Sequence, residues 1–310
     1  MTFFHVPICA FNFILTAPPL SFKYTSESMY DHLHLVFFFL IPHRYDGLAQ
    51  HQPHLKPTVA PVAVSAAWRL QRWHVMDRCL GTWDDAQGSE EGRFEVALAK
   101  TLHALELCRR NAATPTAGLS HIAVIEKEAD LESAKLGFEK AVRAAREQVM
   151  DGLAAASRES YQRAYPLLLR LHVLSEAEQG VALVVAKPAE RRRLVQEQDW
   201  TGRLSLMGAS LRDRAPILAV RRVIFTMAQM PELAGEDLLA HSKLARVGGN
   251  FTLAKNAWRA AAGLMGGMSR GRLVIAEAKL LHCQGQLPEA LKVRKWVHCC
   301  FITCVAVVTQ

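Results

Sequence analysis

Two stretches near the carboxyl end of the chain follow one pattern. Leu239–Ala262 reads LAHSKLARVGGNFTLAKNAWRAAA, and Ala276–Val293 reads AEAKLLHCQGQLPEALKV. In each, a segment with apolar residues at helical spacing is followed by a glycine and a short polar turn. A second segment then begins with a large apolar residue. At a constant offset of 36 residues, Leu244, Gly249, Phe251 and Ala254 correspond to Leu280, Gly285, Leu287 and Ala290. A period in the mid-thirties with two helices per unit predicts a helical-hairpin solenoid of the tetratricopeptide kind.

Helical periodicity continues upstream of this repeat, because apolar residues recur at close to helical spacing. The predicted helices are Arg93–Arg110, Glu126–Met150, a segment starting at Ser157 or Ser160, Trp200–Leu211, Ala215–Met227 with Pro216 near its first position, and one starting at Pro231. Ser65 is predicted to cap the first helix of the domain, and Ala186–Glu197 is predicted as a loop. No stretch alternates as a strand would for more than a few residues. The sequence therefore predicts an all-α, tetratricopeptide-like α-solenoid.

Composition divides the chain into three segments. Residues 1–45 hold eleven of the 24 aromatic residues without helical periodicity, and the prolines that follow, among them Pro53, Pro57 and Pro61, indicate an extended linker. We predict that residues 1–64 are poorly structured, either disordered or a gene-prediction error. Residues 65–297 are the predicted helical-repeat domain. Residues 298–310 abandon the amphipathic pattern and are predicted as an unstructured tail or a second gene-prediction error.

Charge and hydropathy point to neither a nucleic-acid nor a membrane partner. The formal net charge is +8, but lysines and arginines are scattered along the chain rather than banded. Arg191–Arg193 is the densest run, and a solvated surface is the interpretation we adopt for it. The one continuous apolar run, Leu33–Pro42, is about half as long as a membrane span. The chain also begins without the basic segment of a secretory signal.

Candidate metal and acid–base residues form no recognisable site. The seven cysteines (9, 79, 108, 283, 299, 300 and 304) lack zinc-ligand spacing, and their odd number indicates free thiols in a reducing compartment. Asp84-Asp85 and Glu90-Glu91 are paired carboxylates in a polar stretch, which we interpret as a solvated loop. His172 and His282 are interpreted as packed or surface histidines rather than general bases.

Motifs for phosphoryl transfer and for zinc-dependent hydrolysis are absent from the sequence. There is no GxxxxGK[ST], GxGxxG after a strand, HRD, DFG or HExxH. Gly266, Gly267 and Gly271 give a superficial phosphate-loop pattern, but they lie between two predicted helices and are interpreted as a helix connection. We therefore predict no catalytic, cofactor-binding or metal-binding residue and no enzyme activity for this chain.

Three stretches occur in an order that is specific. Ala66–Leu70 reads AAWRL and precedes Trp73, Ser160–Tyr165 reads SYQRAY and precedes RLHVL at Arg170–Leu174, and Trp200 and Arg203-Leu204 precede RAPILAVRR at Arg214–Arg222. Together with the repeat, they resemble the FAT domain of ATR-like checkpoint kinases, within the phosphatidylinositol-3-kinase-related family. The resemblance runs from about Ser65 to about Lys295 and is loose between Gly81 and Val149. Lys187–Arg193 departs from it.

This resemblance implies a helical collar that clamps a carboxyl-terminal serine/threonine kinase domain. ATP and a divalent metal would bind that kinase domain only, and its motifs are not found in this chain. The family also implies an obligate partner protein, a nuclear location and a role in the DNA-damage checkpoint and DNA repair. The first hypothesis is therefore a non-catalytic scaffold or regulatory region of such a kinase.

Two alternatives from other classes stay open at this point. A free-standing tetratricopeptide-like adaptor would hold a peptide in its concave groove, and Lys243, Arg246 and Lys255 are the candidate residues for contacting it. A helical-repeat protein that binds nucleic acid would follow from the net charge, and its affinity would fall steeply with added salt.

Overall fold

The computed structural model describes residues 56–81, 83, 88–113, 121–266 and 270–293. Every regular element in these ranges is an α-helix, and no strand occurs among them. Most of the predicted amino-terminal segment, up to residue 55, and the whole tail at 298–310 lie outside the described residues. The all-α prediction is confirmed for the part that the structure describes.

The helices follow one another with short connections. They are α1 (Lys56–Arg69), α2 (Trp73–Leu80), α3 (Glu90–Ala113), α4 (His121–Glu159), α5 (Tyr161–Val185), α6 (Pro188–Glu197), α7 (Trp200–Ser205), α8 (Leu211–Met227), α9 (Pro231–Val247), α10 (Phe251–Leu264), α11 (Arg270–Cys283) and α12 (287–293).

The long helices stack in chain order. α3 packs on α4 and α5, α4 packs on α5, α5 packs on α8, and α8 packs on α9. Beyond α9, the helices α9, α10 and α11 pack on one another, and α1 lies against α3 and reaches α8. One large hydrophobic core extends from Ala60 to Ala234, and two smaller clusters lie within α8–α11. This neighbour-to-neighbour packing is the arrangement of a helical solenoid.

The repeat seen in the sequence is reproduced in the backbone. Gly249 has φ of +80° and Gly285 has φ of +77°, so both adopt the left-handed conformation that favours glycine. The residue after each glycine donates its amide to the carbonyl five positions earlier, at 2.9 Å from Asn250 to Ala245 and 3.0 Å from Gln286 to Leu281. The predicted hairpin turn is thus confirmed in both repeats.

The two central helices, α5 and α8, begin in the same way. The side chains of Ser160 and Ser210 each accept a hydrogen bond from the backbone amide three residues on, at 3.3 and 3.1 Å. A proline occupies the sixth position of both helices, at Pro166 and Pro216. The Ser160 cap confirms one of the two predicted helix starts. The prediction that Pro216 lies near the first helical position was wrong, because the Ser210 cap starts α8 at Leu211.

Other predicted boundaries were also wrong, and α4 extends to Glu159, nine residues beyond the predicted end at Met150. The first helix begins at Lys56 rather than after Ser65, and it includes Pro61, because burial of this segment against α3 outweighs its proline content. Residues 188–197 form α6 rather than a loop, since Pro188 sits at the first helical position. The helix that starts at Trp200 ends at Ser205, not at Leu211.

Candidate functional site

Glu176, in the middle of α5, is almost completely buried and is bound by two arginines from different helices. Arg221 of α8 donates from Nε and Nη2 to the two carboxylate oxygens at 2.9 and 2.8 Å. Arg203 of α7 donates to the same oxygens at 3.3 and 3.2 Å. The bidentate contact from Arg221 is the geometry in which a guanidinium holds a carboxylate most firmly.

Trp200 completes this group. Both guanidiniums lie over its ring, with Cζ of Arg203 4.9 Å and Cζ of Arg221 5.3 Å from the centroid. The Trp200 carbonyl accepts a third hydrogen bond from Arg221 at 2.6 Å, and the indole packs on Phe225 with centroids 5.1 Å apart. We refer to Glu176, Trp200, Arg203 and Arg221 as the Glu176 cluster. It ties α5, α7 and α8 together.

A glycine allows the two long helices to approach beside this cluster. Gly180 lies one turn after Glu176 on α5, and a Cβ added there would come within 2.8 Å of Cδ1 of Ile224 on α8. Ile224 itself lies one turn after Arg221 and is fully buried. The close approach brings the carboxylate within direct reach of the guanidinium across the helix pair.

A second group of charged side chains borders the cluster on α8 and α9. Burial raises the pKa of Asp237 to about 7, and the nearby carboxylate of Glu176 raises it as well, while Arg221 and Arg222 act in the opposite direction. Oδ2 of Asp237 is buried and accepts no hydrogen bond from the described residues. The environment therefore favours the neutral carboxylic acid in the folded state.

His241 and Arg222 are shifted towards their neutral forms. Burial, and then repulsion by the cations Arg222 and Arg69, lowers the pKa of His241 to about 4. Burial and the positive charge of Arg69 also lower the pKa of Arg222 to about 10, and Asp237 partly offsets this. Because Arg69 ends α1, the junction of α1, α8 and α9 concentrates positive charge.

Other residues that carry the family resemblance also make internal ties. Arg214 donates to the carbonyls of Gly208 and Met207 at 3.0 and 3.1 Å, and the hydroxyl of Tyr165 accepts from the Gly208 amide at 3.1 Å. Trp68 is fully buried in α1. These side chains fasten one segment of the chain to another, which is a structural role.

The paired carboxylates do not form a reactive pair. Glu90 and Glu91 are the first two residues of α3. Their Oε1 atoms lie 2.8 Å from Nη1 and 3.9 Å from Nη2 of Arg170 on α5, respectively. The guanidinium of Arg170 also lies over the ring of Phe94, 5.2 Å from its centroid. The interpretation as a loop is therefore wrong for Glu90 and Glu91. Asp84-Asp85 lies outside the described residues.

The remaining candidate residues are dispersed. The Cys79 and Cys108 thiols are buried and the Cys283 thiol is exposed. The described residues include no group of three side chains that would hold a metal ion. Gly271 lies within α11 and Gly267 is outside the described residues. None of the helices in the described ranges is long and apolar enough to cross a membrane.

The sequence interpretation missed Glu176. Its signal was present but ambiguous, because Glu176 and Glu178 are both acidic residues in the mainly apolar stretch Leu167–Val185, and Glu176 lies four residues after His172. The structure shows that its oxygens bind Arg203 and Arg221, so it is occupied by internal partners. Of the groove candidates, Lys243 and Lys255 are exposed, while Arg246 contacts Sγ of Cys283 at 3.3 Å.

The helical stack and the internally paired Glu176 cluster define the class of this protein as a helical-repeat scaffold. The family of FAT domains matches residues 60–302, and the chain belongs to that family. The match begins inside α1, a few residues before the boundary predicted at Ser65. No solved structure matches the chain.

Among curated proteins, the chain is similar to plant kinases. It is 30% identical over 224 residues to the serine/threonine-protein kinase ATR of Oryza sativa and 28% identical over 226 residues to that of Arabidopsis thaliana, covering 68% of this chain in both. It is 27% identical over 209 residues to the serine/threonine-protein kinase TOR of Arabidopsis thaliana, covering 66% of this chain. The alignments span 7% of each ATR kinase and 8% of TOR.

Proposed function

We propose that this chain is the non-catalytic scaffold region of an ATR-like serine/threonine kinase. In this proposal its helical stack holds the kinase domain of the parent polypeptide and transmits strain to it. ATP and a divalent metal bind that kinase domain and not this chain. The parent acts in the nucleus, in the DNA-damage and replication-stress checkpoint, together with an obligate partner protein, and this region contacts neither nucleic acid nor a membrane directly.

The observation that supports this proposal most strongly is the position of the family-specific residues. Trp200, Arg203 and Arg221 all contribute to one buried cluster rather than to a solvent-facing site. The residues that carry the family resemblance therefore hold helices in a fixed arrangement. This is what a scaffold needs, because its function depends on its shape.

A chimeric kinase tests the proposal. The matched segment of the Oryza sativa ATR kinase is replaced by the matched segment of this chain, and phosphorylation of a serine/threonine peptide by the purified chimera is measured. We expect the chimera to keep its activity. Introducing Glu176→Gln, which breaks the Glu176 cluster, should reduce it. Glu178→Gln, two residues away on the same helix, should leave it unchanged, because Glu178 makes a surface pair with Arg146.

The full chain provides the complementary test. We expect no peptide phosphorylation by the chain alone, and activity there would contradict the scaffold assignment. A chimera that is expressed, folded and inactive would contradict it as well. Binding of the isolated chain to a defined peptide, combined with an inactive chimera, would favour the adaptor. Salt-sensitive binding to single- or double-stranded DNA would instead indicate direct nucleic-acid contact.

A further inference from the structure

The connection between α5 and α8 contains a helix that stands apart from the stack. α6 (Pro188–Glu197) is bounded on both sides by non-helical residues: Ala186 and Lys187 have ψ of 150° and 148°, and Gln198 and Asp199 have ψ of 121° and 71°. Lys187 is kept extended by the proline that follows it. α6 is thus a ten-residue helix between two non-helical joints.

α6 is weakly attached to the rest of the molecule. It has no fully buried residue, and its principal helix contact, with α5, is small. Leu194 and Val195 pack against the core but are only partly buried. Its first turn also lacks a side-chain cap, since the side chain of Lys187 accepts no hydrogen bond from an amide. Few buried apolar contacts and exposed backbone characterise the segments that open before global unfolding.

Arg191 is the residue through which α6 reaches α8. Its Nη1 donates to the carbonyl of Ala228 at 2.8 Å, and its Nε donates to the carbonyl of Ala186 at 3.1 Å. Ala228 caps the carboxyl end of α8, where carbonyls lack helical partners. The hydrogen-bond acceptors of Arg191 include no carboxylate among the described residues, so a partly buried cation is held by neutral groups.

The neighbouring helix α7 is held very differently. Trp200 is buried, and Arg203 binds the buried Glu176. The joint at Gln198 and Asp199 therefore separates a weakly held helix from a firmly anchored one.

We propose that α6 is a hinged strap that opens as a unit while α7 and the helical stack stay closed. The hydrogen bond from Arg191 to the carbonyl of Ala228 holds the strap in its closed position. Opening detaches Leu194 and Val195 from the core and frees the carbonyl of Ala228. This device does not depend on the proposed kinase function, because it follows from the contacts of α6 alone.

Hydrogen–deuterium exchange on the full chain, read by mass spectrometry, tests the proposal. In the native chain, amides of residues 188–197 should exchange faster than those of α5 and α8. Arg191→Ala should speed exchange in residues 188–197 by about tenfold or more, as expected for loss of a charge-assisted hydrogen bond. Exchange in α5, α7 and α8 should not change. Arg192→Ala is the matched control, since Arg192 is exposed on the same helix.

Several outcomes would overturn the strap. One is that amides of α6 exchange as slowly as those in the centre of α5. A second is that Arg191→Ala and Arg192→Ala change exchange in residues 188–197 equally. A third is that Arg191→Ala speeds exchange throughout the molecule. If Arg191→Ala does not fold, Arg191→Lys is measured instead. It keeps the cation but loses the two-directional donor geometry, and it should speed exchange in residues 188–197 alone.

Discussion

The carboxylate of Glu176 compensates two guanidiniums in the interior of the stack, so its neutralisation should be costly. In Glu176→Gln, Arg221 and Arg203 lose their anionic partner while Arg221 stays buried. Breaking a buried ion pair from one side costs about 3–5 kcal/mol, and we expect a loss of that order in the free energy of unfolding. Urea denaturation followed by circular dichroism measures it.

Glu178→Gln is the control for this substitution. Glu178 pairs with Arg146 at 2.6 Å, but both side chains are more than a third exposed. Exposed pairs of this kind contribute about 0–1 kcal/mol, so the control should change stability little. If Glu176→Gln behaves like Glu178→Gln, the cluster does not stabilise the fold.

Single residues were the level at which the sequence was least informative. PILAVRR identified the family, but nothing in that string indicates that Arg221 is buried and binds Glu176. Nor does it indicate that the neighbouring Arg222 interacts electrostatically with Arg69 and Asp237 instead. That assignment depends on the rotation of α8 against α5, a tertiary property. An acidic residue in an apolar helical run is still a usable signal, because such residues are rarely buried without a partner.

At the scale of helix pairs, Gly180 sets the distance between α5 and α8. In Gly180→Ala the new Cβ would lie 2.8 Å from Cδ1 and 2.9 Å from Cγ2 of Ile224, closer than packed carbons come. Overpacking costs about 1–3 kcal/mol, which exceeds the gain of about 0.5–1 kcal/mol from replacing a helical glycine. We expect net destabilisation by chemical denaturation.

Gly137→Ala in α4 separates packing from helix propensity. A Cβ at Gly137 meets nothing within 4 Å, so this variant should be more stable by about 0.5–1 kcal/mol.

Combining Gly180→Ala with Ile224→Val removes the nearest clashing atom. The double variant should therefore lose less stability than the sum of the two single variants. Strict additivity would show that the helices do not meet through these two residues.

The repeated turns give a prediction at the same scale. Gly249→Ala and Gly285→Ala place a side chain at φ of +80° and +77°, and each should cost about 1–2 kcal/mol. Gly248→Ala is the control, since Gly248 has φ of −76° and a Cβ there would make an ordinary contact at 3.4 Å. Thermal unfolding monitored by circular dichroism compares the three. Equal effects at Gly248 and Gly249 would contradict the argument.

Elements were predictable where local chemistry decided them. The 36-residue repeat fixed two turns correctly, because glycine at a left-handed position is a local requirement. The start of α1 was missed because three prolines between residues 53 and 61 indicate a linker, while the buried side chains of Ala60, Ala63 and Val64 hold the segment in a helix. α6 was missed because its polar sequence has no apolar period, and a proline start was the only signal.

At the scale of the whole molecule, two partly buried titrating groups predict how stability depends on pH. Asp237 has its pKa raised from 3.8 to about 7 in the folded state, so the folded state binds more protons than the unfolded state between those values. Its contribution to the free energy of unfolding therefore falls as pH rises through that range. His241 has its pKa lowered from 6.5 to about 4, so its contribution rises with pH between those values.

These two contributions oppose each other over most of the acidic range. From about pH 4 to about pH 6.5 they offset, and above that only Asp237 still titrates towards about pH 7, so the unfolding free energy should decline there. The groups that set the two shifts lie on α1, α5, α8 and α9, which makes this profile a property of their assembly. In the native chain we expect a nearly flat profile followed by a drop near neutrality.

Two variants separate the contributions. In Asp237→Asn the carboxylate is absent, so the unfolding free energy should rise between about pH 4 and about pH 6.5 and then level off. In His241→Gln it should instead fall from about pH 4 to about pH 7. One pKa unit corresponds to about 1.4 kcal/mol, so each slope should amount to roughly 2 kcal/mol or more. Urea denaturation at half-unit pH intervals measures both profiles. Parallel profiles in the two variants would mean that neither side chain is held away from water at the junction of α1, α8 and α9.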